Sequence, residues 1–186
     1  LIINTCGVKE PTEDKIIARL EHLSSGDSPV IVAGCLPRIS LDRIKQAIPN
    51  YAAIVGPQSI TTLVSILDRV LSGERGIIHL DTDKVSKLKY FEGPAASSIA
   101  TIPISEGCLG NCTYCAVKFA RSNLRSYQID EIVSVVQRCV HLGYKEIRLT
   151  AQDTGAFGKD IGTSLANLLT SVEVVPGEHR FRLGML

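Results

Sequence analysis

The first 72 residues of this 186-residue chain set down one pattern three times: a short apolar run, a polar break, then apolar residues at helical spacing. The runs are Leu1-Ile2-Ile3, Val30-Ile31-Val32-Ala33 and Ala52-Ala53-Ile54-Val55. The helical spacings are Ile16/Leu20/Leu23, Leu41/Ile44/Ile48 and Ile60/Leu63/Leu67/Val70. A strand that is apolar without alternation has both faces covered, and a parallel neighbour demands a crossover long enough to hold a helix. The pattern therefore predicts β-α-β-α-β-α around a parallel sheet. Breaks at Ser24-Ser25-Gly26 and Ser72-Gly73, with Pro29, Pro49 and Pro57 outside the helical stretches, agree with these limits.

From Gly73 to Ser98 the periodicity fails, apart from a strand candidate at Ile77-Ile78-His79-Leu80, and the stretch ends in Gly93-Pro94-Ala95-Ala96-Ser97-Ser98. It reads as a linker. Lys84, Lys87 and Lys89 within it could meet a polyanion or simply be solvated. A second series starts at Ile99: strand Ala100 to Ser105, a cysteine-rich loop, a helix opened by Asp130 and running to about Leu142, and strand Glu146 to Thr150. A helix from about Ser164 and strand Phe181 to Met185 complete it. This is again β/α with parallel strands, but an eight-stranded β/α barrel takes roughly 200–250 residues. The expected organisation is a first domain over 1–72, a linker over 73–98 and part of a second domain over 99–186.

Composition narrows the function classes. With 45% apolar and 21% charged residues the chain is too apolar for a disordered protein. It has no apolar run of about 18 residues that could span a membrane. A net charge of +1 lacks the footprint of a dedicated nucleic-acid-binding module, though it leaves RNA open as a substrate. Nothing resembles a secretory signal, so a cytoplasmic setting is expected, where six cysteines serve metal binding or reactivity rather than disulfides. Met185 is the only methionine and the last residues read as a strand without a cap, so the expectation is a fragment of a longer protein.

Gly107-Cys108-Leu109-Gly110-Asn111-Cys112-Thr113-Tyr114-Cys115 is a C-x3-C-x2-C arrangement directly after an apolar strand. Three thiolates this close converge only if the loop wraps around one site, and Gly107 and Gly110 permit the backbone angles required. Structural zinc takes four protein ligands, and no His or fourth Cys follows at a matching interval. An iron-sulfur cluster on three cysteines instead leaves one iron open to an exogenous ligand, a departure from four-thiolate binding. The competing readings are chance proximity or a zinc site completed from elsewhere. Cys6 and Cys35 each lie where an apolar strand ends, which in a parallel sheet is the carboxyl edge at which open α/β sheets bind ligands. They can share a site, with a third ligand expected upstream of Leu1. Taken singly, either could be an inert buried cysteine.

The remaining candidates carry less. Cys139 falls on the apolar stripe Ile132/Val136/Cys139/Gly143 and reads as a small buried hydrophobe. Gln152-Asp153-Thr154 follows a strand at the face where β/α barrels keep their active sites, yet the same residues suit a cap or turn. Lys118, Arg121 and Arg125 could meet phosphate or carboxylate, or form a solvated basic face. His22, His79, His141 and His179 show no ligand or triad spacing, and no phosphate-binding loop, dinucleotide fingerprint or nucleophile elbow is present.

With an aromatic before its last cysteine, Cys108-x3-Cys112-x2-Cys115 resembles the signature of radical S-adenosylmethionine (SAM) enzymes. Together with Asn4-Thr5-Cys6, Ala33-Gly34-Cys35, Ala120-Arg121-Ser122-Asn123-Leu124-Arg125-Ser126-Tyr127 and the run Leu149 to Gly158, the chain resembles the methylthiotransferases along nearly its whole length. The Arg-x-x-Leu-x-Ser-Tyr form and the Gln-Asp-Thr-Gly-Ala-Phe-Gly-Lys-Asp run are more similar to the archaeal and eukaryotic branch, which acts on N6-threonylcarbamoyladenosine at position 37 of tRNA. Members acting on isopentenyladenosine or a ribosomal-protein aspartate share the outline but usually end the first motif in Ser-Arg, where this chain has Ser126-Tyr127.

The resemblance implies an α/β protein: a parallel-sheet domain of Rossmann/flavodoxin-like kind followed by a partial radical-SAM β/α barrel. It implies that Cys108, Cys112 and Cys115 hold a 4Fe-4S cluster whose open iron binds SAM, giving a 5'-deoxyadenosyl radical that removes hydrogen from the adenine. It further implies that Cys6 and Cys35, with a family cysteine preceding Leu1, hold a second 4Fe-4S cluster involved in sulfur delivery. A second SAM supplies the methyl group. Tyr114 would line the SAM pocket, and Gln152 and Asp153 would contact cofactor or substrate. The implied partners are tRNA, an electron donor and a sulfur source. A plain iron-sulfur electron-transfer or structural module would use the same cysteines without SAM. The family often has glycine where Ser122 stands, and these residues alone are expected to be inactive.

Overall fold

The computed structural model describes all residues except 8, 60, 81–85, 94–96 and 185–186. The chain divides into two compact units, Leu1–Val85 with Cys112–Arg121, and Ser86–Asn111 with Ser122–Leu186.

The first unit is built on four parallel strands in the order β1 (Ile2–Thr5), β2 (Ile31–Gly34), β3 (Ala53–Val55) and β4 (Ile77–His79). Helices α1 (Glu10–Ser24), α2 (Leu36–Ile39), α3 (Leu41–Ala47) and α4 (Leu63–Leu71) connect them. The apolar runs are continuous because both faces are covered. Ile3, Val32 and Ile54 share a core with Leu20 of α1 and Ile44 of α3, while Ile31, Ala53, Val55 and Ile77 pack with Ile66 and Val70 of α4. The α/β class expected from the pattern is the class observed.

The limits of the elements depart from the expected ones for local reasons. Helix α3 stops at Ala47, one residue before Ile48, because Pro49 disfavours the helical conformation in the residue it follows. Leu36–Ile39 forms an additional short helix with Pro37 in its first turn, where the absent N–H leaves no bond unmade. Helix α4 begins at Leu63; Ile60, counted in its spacing, lies outside the described residues, as does Val8, two residues after Cys6. Within the stretch read as a linker, Ile77–His79 adds the fourth strand to this sheet and Lys87–Tyr90 forms a 3-10 turn of the second unit that buries Leu88. Lys84 and residues 94–96 of that stretch are outside the described residues.

The second unit has three parallel strands in the order β5 (Ile99–Pro103), β8 (Glu146–Thr150), β9 (Arg180–Leu183), and a separate antiparallel pair, β6 (Ser105–Glu106) with β7 (Arg125–Ser126). The expected strand Ala100 to Ser105 is thus two strands. The chain changes partner at Ile104, whose N–H goes to Thr150 and whose carbonyl receives Tyr127 N–H. Helices α6 (Ile129–His141) and α7 (Leu165–Glu173) cover the sheet, burying Ile132, Val136, Leu168 and Val172 against Ile102, Ile147 and Leu149. Cys139 is 1% exposed on this face, and burial pushes its thiol pKa up. Gly143 is no part of that stripe: α6 has ended at His141, and Gly143 turns the chain at φ +87°. Strand β9 starts one residue before Phe181, and Met185, its expected end, is outside the described residues. No helix among the described residues is long and apolar enough to cross a membrane.

Candidate metal centre

Strands β1 and β2 pair in register through Thr5 and Gly34, so Cys6 and Cys35 are the next residue on each strand at the carboxyl edge of the sheet. The edge is tightly clamped: Cys35 N–H donates to Thr5 O at 3.0 Å and Thr5 Oγ1 donates to Ala33 O at 2.7 Å. Gly34 is required there. Its φ is +106°, and a Cβ would stand 2.3 Å from Thr5 O. Cys6 is exposed and Cys35 is 8% exposed. Helix α2 follows Cys35 directly and packs against α5 (Val117–Arg121), which begins two residues after Cys115; both belong to the first unit. Gln58 Nε2 donates to Arg121 O at 3.1 Å and holds the far end of α5.

The cysteine loop and α5 form the long connection between β6 and β7. Its neck lies in the second unit. Gly107 has φ +76°, and a Cβ there would stand 2.1 Å from Asn123 O and 2.8 Å from Ser122 O, so the position requires glycine. Cys108 N–H donates to Ser122 O at 3.4 Å, and Ser122 itself adopts φ +65°, the only non-glycine residue with positive φ among those described. Gly110 N–H donates to Cys108 Sγ at 3.2 Å. Cys112 and Cys115 belong to the first unit, where Cys115 N–H closes a turn on Cys112 O at 3.1 Å. Tyr114 is 89% exposed.

Of the residues singled out around this loop, Gln152 bonds to it directly and the others engage its surroundings. Gln152 Oε1 accepts Gly107 N–H at 2.8 Å, across 45 positions of sequence. Asp153 Oδ1 accepts Ala156 N–H at 3.1 Å and caps the 3-10 turn Thr154–Ala156. Arg125 is paired to Glu106 at 3.3 Å rather than facing solvent, and Lys87 reaches the same carboxylate at 2.7 Å. Lys89 lies over its neighbour Tyr90, 5.0 Å from the ring centre.

Sequence reasoning passed over Glu106, and it used Ser126, Tyr127 and Asp160 only as motif residues without a role. Tyr127 is buried and donates to Glu106 Oε1 at 3.0 Å; burial first, and then the Glu106 charge, push its phenol pKa well above the usual value. Asp160 Oδ2 accepts Ser126 N–H at 2.8 Å, and Ser126 Oγ accepts Gly158 N–H at 2.9 Å, tying the Gln152–Asp160 run to β7. The Arg125-Ser126-Tyr127 triplet was itself the available signal. Three adjacent side chains of different chemistry just after the cysteine loop suit anchoring on several partners.

Among the described residues no three His, Cys, Asp or Glu side chains gather closely enough to chelate a single metal ion, and no disulfide joins the cysteines. A multi-iron cluster asks for something different: thiolates that each take a separate iron, supported by N–H donors. The donor set of the 108–115 loop is thiol only, bears one N–H···S bond, and fits that group.

Two family models match the chain: "Uncharacterized protein family UPF0004" over residues 1–56 and "Radical SAM superfamily" over residues 102–175. The chain is 41% identical over 188 residues to the "Probable threonylcarbamoyladenosine tRNA methylthiotransferase" of Pyrococcus abyssi, covering 100% of this chain and 44% of that protein. It is 35% identical over 199 residues to the human threonylcarbamoyladenosine tRNA methylthiotransferase, covering 99% of this chain and 32% of the relative. It therefore spans less than half the length of these relatives. Among solved structures it is similar to the radical SAM methyltransferase TsrM of Kitasatospora setae, with TM-score 0.54 and 14% identity over 86% of this chain and 35% of that one, a likeness of fold.

Proposed function

We propose that this chain, a member of the radical SAM methylthiotransferase family, carries the two cysteine-bearing parts of a cytoplasmic enzyme that 2-methylthiolates N6-threonylcarbamoyladenosine at position 37 of tRNA. The observation that carries the reading is the presence in one chain of a thiol-only loop after β6 and of a second pair of thiols, Cys6 and Cys35, at the edge of the first sheet. Cys108, Cys112 and Cys115 would hold a 4Fe-4S cluster and leave one iron for the amino and carboxylate groups of SAM. Cys6 and Cys35 would hold a second cluster with a ligand from elsewhere in the protein. When bound, these groups supply reductive cleavage of SAM and a sulfur atom for transfer. The chain's own residues contribute placement. Gly107, Ser122 and Gln152 set the entry of the loop, Gly34 sets the approach of Cys35 to Thr5, and Tyr114 presents its ring for contact with SAM. Gln152 and Asp153 act on cofactor or substrate through the loop and turn they hold.

The test has two arms. Anaerobic reconstitution of the full-length protein with iron, sulfide, dithionite and SAM is expected to yield 5'-deoxyadenosine in a Cys108-dependent manner, whereas none would identify an electron-transfer or structural cluster. Mass spectrometry of tRNA nucleosides from cells lacking the gene is expected to show loss of 2-methylthio-N6-threonylcarbamoyladenosine. Its persistence without a second such enzyme, or loss of the isopentenyladenosine derivative or of ribosomal-protein methylthioaspartate instead, refutes the substrate assignment.

A further inference from the structure

A buried carboxylate stands two residues before Cys108, and the proposed reaction has no use for it. Glu106 is 5% exposed. Its Oε1 receives Lys87 Nζ at 2.7 Å and the Tyr127 hydroxyl at 3.0 Å, and its Oε2 receives Arg125 Nη2 at 3.3 Å. All four residues belong to the second unit. Removing an ionised carboxylate from water is unfavourable unless charges and hydrogen bonds compensate it, and a buried ion network contributes little net stability over an apolar equivalent. A strand pair of two residues each does not need one to form. Its location suggests another purpose. Residues 106, 107 and 108 are each held by a different segment: Glu106 by its three partners, Gly107 N–H by Gln152, and Cys108 N–H by the Ser122 carbonyl.

We propose that Glu106 is a positioning residue for the metal loop: with Lys87 and Arg125 it fixes how Cys108 leaves β6 and sets the electrostatic field felt at that thiolate. The inference rests on the metal-binding reading of Cys108. It has a signed consequence. Reduction adds negative charge to a cluster, so removing the carboxylate while Lys87 and Arg125 remain makes reduction easier, and removing a cation makes it harder. The expected size is on the order of a tenfold change in the reduction equilibrium per unit charge removed, about 59 mV for one electron.

The experiment uses the full chain with Cys6 and Cys35 replaced by alanine, so that a single cluster titrates, reconstituted anaerobically with ferrous iron and sulfide. Parent, Glu106→Gln, Lys87→Met and Cys108→Ala proteins are compared for iron per chain, for reduction potential by a titration followed spectroscopically, and for thermal unfolding without iron. Glu106→Gln should shift the potential in the positive direction and Lys87→Met in the negative direction. Opposite signs are not a consequence of loosened packing. Potentials that stay put while unfolding temperatures fall, or that move the same way in both variants, overturn the proposal. Should Glu106→Gln not fold, the negative shift of Lys87→Met decides alone. A folded parent that takes up no iron refutes the metal reading itself, and the inference with it.

Discussion

Replacing Ser122 with glycine should stabilise the protein by about 0.5–1 kcal/mol. Ser122 adopts φ +65°, where an L-residue's Cβ crowds the backbone at a cost of roughly 1–2 kcal/mol. Glycine relieves that crowding but adds freedom to the unfolded chain worth about 0.4–1 kcal/mol, and the difference is the expected gain. The bond that Ser122 makes with the loop, its carbonyl accepting Cys108 N–H, is a backbone bond and survives the change. In a chain of this length each kcal/mol moves the melting temperature by about 2–4 °C, so a rise of about 1–4 °C is expected. Thermal unfolding followed by circular dichroism measures it. Ser122→Ala is the informative control, because alanine keeps the Cβ and should melt with the wild type. If Ser122→Gly melts no higher than Ser122→Ala, the strain argument is wrong.

Other expectations follow from the same geometry. Gly34→Ala would bring a Cβ to 2.3 Å from Thr5 O in a left-handed conformation, so chemical denaturation should show a loss of about 2–5 kcal/mol from overpacking and strain together. Gln152→Leu strands the Gly107 N–H and should cost about 1–3 kcal/mol, whereas Gln152→Glu, which still presents an acceptor oxygen, should stay closer to wild type. Side-chain hydrogen bonds from Arg148 and then Arg180 hold the Glu146 carboxyl pKa below its ordinary 4.5. A depressed pKa in the folded state means the stabilisation is full above the ordinary value and is lost as pH falls through the folded one. The stability advantage of wild type over Glu146→Gln should therefore shrink on acidification below about pH 4.5, and an advantage independent of pH would contradict the pairing.

The α/β class was legible because covering both faces of a sheet leaves an imprint on every strand, as in Ile31 and Val32, which are buried on opposite faces. Element limits were less so, for reasons visible at single residues. Pro49 cut α3 short and Ile104 divided one apolar run between two partners, whereas the strand candidate Ile77–Leu80 inside the connection did form a strand over Ile77–His79, on an edge that the sequence did not specify. Around the cysteine loop, chemical type could be read but engagement could not. Lys87 and Arg125 look like solvated cations in sequence, yet both close on one buried carboxylate.

What the sequence determined by itself is therefore the kind of sheet, the set of thiol donors and the four-residue and three-residue steps that separate them, since periodicity and spacing are local quantities. Only the tertiary structure decided that Gly107 answers to Gln152, Ser126 to Asp160, and Glu106 to Lys87, Arg125 and Tyr127. Those pairings join segments 19 to 45 residues apart. Hydrogen-bond partners over such separations depend on which strands come into register, and no local pattern of residues encodes that choice.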